Sequence, residues 1–250
     1  MFDFHSSLSF LSFKDTKDCI LVDSVDIQVD RDIAAVKELG LNLVYGVNTR
    51  KSITHVSFGC VQKWELTSFI CFLSDAHADH ITGTFLLKQK IEGVQSVISE
   101  ASKAQADVKI NSGDRILFGS RYIQARATPG HTEGCLSYVA DDESFVLTGD
   151  TLLIQGCGRT DFQGGSSDNL YESVHEQLFS LPDSTVVYPA HDHKGRTNSS
   201  IRDEKLNNPR LGAGKSKEDF KEIMANLNLS YPKKIDVAVP ANMRCGVPDV

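Results

Sequence analysis

The stretch from Asp75 to His80 reads D-A-H-A-D-H and places four groups able to bind a metal ion within six residues. A histidine at position 75 would complete the metal-binding pattern H-x-H-x-D-H, but the chain has Asp75 there. Imidazole and carboxylate groups together suit zinc or ferrous iron. The stretch therefore predicts a metal loop in which one ligand is changed or lost. A purely structural alternative is that Asp79 caps the helix predicted to follow.

Three later motifs carry the same kinds of group. His131 lies in T-P-G-H-T, Asp150 ends the apolar run V-L-T-G-D, and His191 lies in Y-P-A-H-D. Each follows a predicted strand, and loops at strand ends are where sites are usually built. Two imidazoles and one carboxylate are the ligand set of non-haem iron oxygenases. The remaining isolated histidines are expected to be ordinary surface or core residues: His5, His55 and His175.

Alternating strands and helices are predicted to position these loops. Short apolar runs predict strands over 19–23, 41–47, 95–99, 115–118, 122–127, 136–140, 144–147 and 185–188. Helical spacing of apolar residues predicts helices over 31–39, 81–89, 169–179 and 217–227. Asp30 is the expected N-cap of the first helix and Gly40 its C′ residue. The pattern predicts one α/β domain over residues 1–250, with layered sheets and helices outside.

The composition excludes several classes of protein. Apolar residues make up 40% and charged residues 24% of the 250 residues, which is typical of a globular protein. A net charge of −7 argues against a nucleic-acid partner. No apolar run is long enough to span a membrane. The six dispersed cysteines predict reduced thiols, and the N-terminal residues show neither a secretory signal nor a transit peptide.

The order of the four motifs resembles the metallo-β-lactamase superfamily. That resemblance implies an αββα sandwich with the metal at one edge, between the two sheets. Two further stretches, G-C-G-R-T-D-F over 156–162 and P-A-N-M-R-C-G over 240–246, resemble the persulfide dioxygenase family within it. The implied reaction is the oxidation of glutathione persulfide by O₂ to sulfite and glutathione, in sulfide catabolism.

The resemblance also implies a site built around one ferrous iron per chain, with zinc less favoured. Its ligands would be His131, Asp150 and the residue at position 75, where Asp75 replaces the histidine of the family. The chemistry would take place at the iron, so no separate catalytic side chain is assigned. Four more residues are implied as partners that orient the ligands: His77, Asp79, His80 and His191.

The family resemblance assigns substrate contacts as well. Arg159 and Arg210 match positions expected to bind the glutathione carboxylates, and Asp161 would orient Arg159. Surface salt bridges are the ordinary alternative for both arginines. His193 stands where the family has tyrosine. Cys245 matches a family cysteine, which is either a redox-sensitive accessory thiol or a packed one.

One segment interrupts the resemblance. Residues 50–75 stand in the place of a single histidine and match no family element. Arg-Lys-Ser at its start can encode a splice donor, and its end can encode an acceptor whose joining restores a histidine codon. We therefore hypothesise a translated intron, and the alternative is a real insertion in which Asp75 supplies a carboxylate. Either way, we expect low iron occupancy and reduced turnover for this chain.

Two other functions stay open from the residues alone. A thioester hydrolase like glyoxalase II shares the ligand order but would need a two-metal site. An inactive isoform or pseudoenzyme follows from the lost ligand. The resemblance implies the mitochondrial matrix and a homodimer, while the lack of a transit signal leaves the cytoplasm open.

Overall fold

The computed structural model describes residues 9–12, 18–22, 26–40, 42–48, 71–73, 81–92, 94–118, 121–190, 192, 194–231 and 233–247. Within these ranges the chain forms two sheets of six strands each. None of the described helices is both long and apolar enough to cross a membrane.

The first sheet is mainly parallel and follows the order of the chain. Its strands are β1 (Ser9–Ser12), β2 (Asp18–Val22), β3 (Asn42–Asn48), β4 (Cys71–Leu73), β5 (Ser96–Ser99) and β6 (Val108–Ile110). Only β1 and β2 pair antiparallel; the other neighbours pair parallel. Parallel neighbours need crossover connections. Helix α1 (Val29–Glu38) lies between β2 and β3, and α2 (Thr84–Lys90) lies between β4 and β5.

The second sheet is mainly antiparallel. Its strands are β7 (Arg115–Phe118), β8 (Arg121–Ala127), β9 (Leu136–Ala140), β10 (Phe145–Gly149), β11 (Val186–Pro189) and β12 (Ser199–Ser200). The single parallel pair joins β10 to β11. Their crossover contains α3 (Ser167–Ser173), which continues as a π-helical turn over Val174–Leu178. Both strands of this pair end at the same edge of the sheet, where the candidate site lies.

Three helices follow the second sheet, namely α4 (Ile201–Asn207), α5 (Lys217–Ala225) and α6 (Ile235–Asn242). Ser200 caps α4, and Ser216 caps α5 in a reciprocal capping box with Asp219. The apolar faces of α4 and α5, together with that of α3, pack against the second sheet. The resulting core includes strand residues Val139, Val146 and Val187 and helix residues Leu170, Ile201 and Phe220.

Most of the predicted elements are confirmed. The strands over 115–118 and 136–140 have the predicted bounds, and residues 136–149 form the predicted antiparallel pair. Gly40 has the left-handed φ of +62° expected after a helix. The predicted cap at Asp30 is wrong, because the turn Asp26–Gln28 leads into α1 and makes Gln28 its N-cap. Strand β4 lies inside the segment predicted to be foreign, between β3 and β5.

The first turn of α1 contains a buried acid. The Asp32 side chain is fully buried, and its Oδ1 accepts hydrogen bonds from Arg31 Nε and Nη2 at 2.9 and 2.7 Å. No described residue donates a hydrogen bond to its Oδ2. Burial raises the pKa of Asp32 from 3.8 to about 6, against the opposing effect of Arg31. The charged form of Asp32 therefore costs stability in the folded protein.

Asp32→Asn should stabilise the protein at neutral pH. Because the folded pKa of Asp32 lies above its unfolded value, its penalty is absent below about pH 4 and complete above about pH 6. The free energy of unfolding of the variant should exceed that of the parent by up to about 3 kcal/mol at pH 7 and converge with it near pH 4. Urea titrations across this range measure the difference. A constant difference at every pH would contradict the account.

Candidate metal centre

Two loops at one edge of the second sheet bring His131 and Asp150 together. His131 lies between β8 and β9, and Asp150 directly follows β10. Both side chains are buried, at 5% and 4% exposure. His131 Nε2 lies 3.3 Å from Asp150 Oδ2. The family resemblance implies that both residues belong to one site, and the fold places them side by side.

Hydroxyl groups tie these loops to each other and to α3. Thr151 Oγ1 donates to the Thr128 carbonyl at 3.0 Å, which joins the chain after Asp150 to the chain before His131. Ser173 Oγ donates to the Pro129 carbonyl at 2.7 Å. These hydrogen bonds satisfy the carbonyl groups of Thr128 and Pro129, which lie beyond the end of β8. They also restrict the motion of one loop relative to the other.

Gly130 lets α3 approach the histidine loop. Its φ is +139°, and a Cβ atom there would lie 2.3 Å from Leu170 Cα. No L-residue side chain can occupy that space. The Gly130 carbonyl also accepts a hydrogen bond from Ser166 N at 2.8 Å, just before α3 begins. The packing of Gly130 against α3 therefore fixes the backbone position of the next residue, His131.

The ring orientation of His131 is fixed by the loop over 153–159. Its Nδ1 lies 2.6 Å from the Arg159 carbonyl oxygen. A carbonyl can only accept, so Nδ1 carries a proton and Nε2 faces Asp150. Gly158 N donates to the Asp150 carbonyl at 2.7 Å. A Cβ on Gly158 would lie 2.8 Å from His131 Nδ1, so only glycine lets the loop pack this closely.

The donor atoms of this pair fit a shared metal ion. Two donors at about 2.1 Å from one ion, at angles between octahedral and tetrahedral, lie about 3.0–3.4 Å apart. The separation of Nε2 from Oδ2 falls in that range, at 3.3 Å. The described residues contain no group of three histidine, cysteine or acidic side chains able to hold a metal. The third predicted ligand, Asp75, lies outside the described ranges, as do the four residues predicted to orient the ligands: His77, Asp79, His80 and His191.

Arg159 already has a carboxylate partner. Its Nε and Nη2 donate to the two oxygens of Asp161 at 2.6 and 2.7 Å. This pairing lowers the pKa of Asp161. Arg159 Nη1 also donates to the Ser230 carbonyl at 2.8 Å, and its guanidinium lies 4.5 Å from the centre of the Phe162 ring. Arg159 therefore joins the loop over 153–159 to the segment before α6.

Arg210 differs, because it has no carboxylate partner among the described residues. Its Nη1 donates to the Cys157 carbonyl at 3.0 Å. Burial raises the pKa of the Cys157 thiol to about 11, while the nearby charge of Arg210 lowers it and that of Asp150 raises it. The Cys157 thiol is thus neutral and lies close enough to feel both charges. The other N–H groups of the Arg210 guanidinium can therefore bind a ligand close to the His131–Asp150 pair.

The other predicted substrate and thiol residues are placed as follows. His193 lies outside the described ranges. Cys245 has a left-handed φ of +63° and packs beside Ile98 and Ala104, on the first sheet. Burial raises the pKa of its thiol, although a hydrogen bond with Ser96 opposes that effect. Cys245 is a packed thiol in this arrangement, and a redox role for it stays a prediction.

A buried polar network beneath the 153–159 loop was missed from the sequence. It contains Glu204 and Asn208 of the α4 region, Ser199 of β12, and Arg196. In this part of the chain, only Arg210 was assigned a role from the sequence. Glu204 and Asn208 are four residues apart and share one helical face, a spacing that could have indicated their contact.

Comparisons with known proteins identify the family to which the chain belongs. Residues 72–191 match the metallo-beta-lactamase superfamily. The mouse protein named persulfide dioxygenase ETHE1, mitochondrial, is 47% identical over 237 residues, which span 95% of this chain and 83% of that protein. The chain belongs to the persulfide dioxygenase family.

Solved structures and a more distant relative complete the comparison. The crystal structure of ETHE1 from Myxococcus xanthus superposes with a TM-score of 0.82 at 40% identity, covering 98% of this chain and 100% of that one. The predicted metallo-β-lactamase fold is confirmed by this match. A hydroxyacylglutathione hydrolase from Brucella ovis is 33% identical over 175 residues, or 68% of this chain and 65% of that protein.

Proposed function

We propose that the protein is an iron-dependent dioxygenase that oxidises glutathione persulfide with O₂ to sulfite and glutathione. The observation that carries the proposal is the buried His131–Asp150 pair, with Nε2 of the imidazole 3.3 Å from a carboxylate oxygen. Family membership supports the persulfide substrate, since the mouse relative is named a persulfide dioxygenase. The reaction would serve sulfide catabolism.

His131 and Asp150 would hold one ferrous iron per chain, with zinc the less favoured metal. Ferrous iron, when bound, would supply open coordination positions for O₂ and for the sulfane sulfur, while the electrons that reduce O₂ come from that sulfur. The protein's part is orientation. The Arg159 carbonyl holds His131 in one tautomer, and burial of both ligands keeps bulk water from competing at the pair.

Glutathione persulfide carries two carboxylates, and the two arginines differ in their readiness to bind one. Asp161 already balances the charge of Arg159. Arg210 has no such partner among the described residues, and its Nη1 touches only the backbone and sulfur of Cys157. Arg210 is therefore the stronger candidate for a substrate carboxylate. Arg159 would act there only by rearranging its pair with Asp161.

The third ligand depends on the segment over residues 50–75. We propose that this segment is a translated intron whose removal would place histidine directly after Thr49. Strand β4 occupies the position between β3 and β5, so removal requires β3 to pair with β5 directly and to lead into the histidine loop. In the alternative, β4 leads into that loop and Asp75 is a ligand. Transcripts that all retain the segment would exclude the intron.

The proposed cellular location and oligomeric state are also based on the relatives. The mouse protein is named mitochondrial, and we propose the mitochondrial matrix for this protein. A homodimer is proposed on family resemblance alone. We propose no nucleic-acid partner, because the net charge of −7 disfavours a phosphate-binding surface.

Oxygen uptake tests the proposed activity. We expect anaerobically reconstituted protein, with residues 50–75 replaced by one histidine, to bind about one iron and to consume O₂ only with glutathione persulfide. The chain as given should hold less iron and turn over more slowly, because Asp75 is shorter than histidine. Iron analysis and an oxygen electrode measure both forms. Thioester cleavage without O₂ uptake would identify a hydrolase, and neither activity in either form would identify an inactive product.

Arg210→Gln should weaken substrate binding in whichever form consumes oxygen. Loss of one charge-assisted contact should raise KM for glutathione persulfide by about tenfold or more and leave kcat within about twofold. Arg210→Lys should restore part of the loss, since it keeps the charge. Arg202→Gln is the matched control, because Arg202 is exposed on α4. An unchanged KM, or an effect confined to kcat, would count against a carboxylate contact.

A further inference from the structure

A buried carboxylate lies beneath the loop that holds His131. Glu204 of α4 is fully buried. Its Oε1 and Oε2 accept from Gln155 N at 3.1 and 2.9 Å. Ser199 Oγ donates to Oε1 at 2.6 Å, and Asn208 Nδ2 donates to Oε2 at 2.7 Å. Both oxygens are therefore enclosed by donor groups.

The surroundings of Glu204 are matched to a carboxylate. Gln155 N and Asn208 Nδ2 can only donate, and a carboxylate can only accept. A glutamine side chain would turn its own N–H groups toward one of these donors. Burial raises the pKa of Glu204, while the three hydrogen bonds and the charge of Arg196 lower it. A buried acid is costly unless its contacts are satisfied, so its presence here calls for a role.

The contact with Gln155 fixes a strained turn. Gln155 has a left-handed φ of +54°, which a residue other than glycine adopts only when its surroundings enforce it. Two backbone hydrogen bonds of 3.1 and 3.2 Å between Leu153 and Gly156 close the turn. Asn208 Nδ2 also donates to the Gly156 carbonyl at 3.0 Å. Glu204 and Asn208 thus hold the turn through hydrogen bonds to its backbone.

The same turn is held from the other side by Arg196. Its Nη2 donates to the Ile154 carbonyl at 2.8 Å and its Nη1 to Gln155 Oε1 at 2.9 Å. Arg196 also forms an ion pair with the buried Asp192, in the loop after β11. The turn is therefore connected to the two chain segments that follow the parallel strands β10 and β11.

The residues directly after the turn make the contacts that orient His131 and Asp150. Three residues after Gln155, Gly158 N donates to the Asp150 carbonyl. The next residue, Arg159, accepts from His131 Nδ1. A displacement of the turn would move both groups, since the loop between them is short. Positional tolerances in sites of this kind are about 0.5 Å.

We propose that Glu204 is a positioning residue of the metal centre, whose carboxylate holds the 153–156 turn and so sets the orientation of His131. Its bearing on catalysis rests on the proposed function. Its structural effect does not require bound metal or an active enzyme. Glu204 touches neither His131 nor Asp150 and acts only through the backbone of the loop.

Hydrogen exchange of Glu204→Gln tests this in the chain as purified, without added metal. We expect the amides of residues 153–158 to exchange about tenfold faster, with core amides of β9 and β10 unchanged. NMR of the ring nitrogens of His131, assigned with His131→Asn, should show loss of the single Nδ1-protonated tautomer. Glu222→Gln on α5 is the matched control, because Glu222 is exposed, and it should change neither readout.

Several outcomes would overturn the proposal. These are unchanged exchange over 153–158, equal acceleration throughout the core, or an unaltered His131 tautomer in a folded Glu204→Gln. Should that variant not fold, Ser199→Ala removes one donor to the carboxylate and is judged by the same readouts with a smaller, several-fold acceleration. Oxygen uptake is measured separately, in the form with residues 50–75 replaced by one histidine. If that form shows the local change but no oxygen uptake, the proposed function fails and this inference still stands.

Discussion

The hydrogen bond from His131 Nδ1 to the Arg159 carbonyl, 2.6 Å long, is the contact on which the site depends. It places a proton on Nδ1 and fixes the rotation of the imidazole, so that Nε2 lies beside the Asp150 carboxylate. It also couples the His131–Asp150 pair to a loop that contains Arg159 and contacts Arg210. Arg159 uses its carbonyl for His131 and its guanidinium for Asp161 and the segment before α6. One residue thus links ligand geometry to the C-terminal part of the chain.

That arrangement requires glycines at close contacts and a buried polar group that holds the loop. Gly130 and Gly158 are required where α3 and the loop approach His131 too closely for a side chain. Glu204 is buried to hold a turn that leads into this loop. Asp32 is a buried acid of another kind, because it lies on α1 and has no described donor at Oδ2. Glu204, near the site, has donors at both carboxylate oxygens, whereas Asp32 has described donors at Oδ1 only.

Site residues could be predicted from the sequence where they lie in short local motifs. His131 and Asp150 could be assigned because P-G-H and T-G-D are short motifs at strand ends, and the family resemblance supplied their order. Glu204 and Arg196 could not be assigned, since their roles arise from contacts with Gln155, 41 to 49 residues away along the chain. Short elements such as β6 and α4 were also missed, because three to seven residues carry too little periodicity. The position of β4 within the sheet depends on pairing between strands that no local pattern specifies.

The central claim is that His131 and Asp150 hold one metal ion whose position is set by the 153–159 loop. Anomalous scattering at the iron edge, from crystals of protein loaded anaerobically with ferrous iron, tests it most directly. The account predicts one strong peak within bonding distance of both His131 Nε2 and an Asp150 carboxylate oxygen. A peak elsewhere, or one bound by His131 through Nδ1, would contradict it.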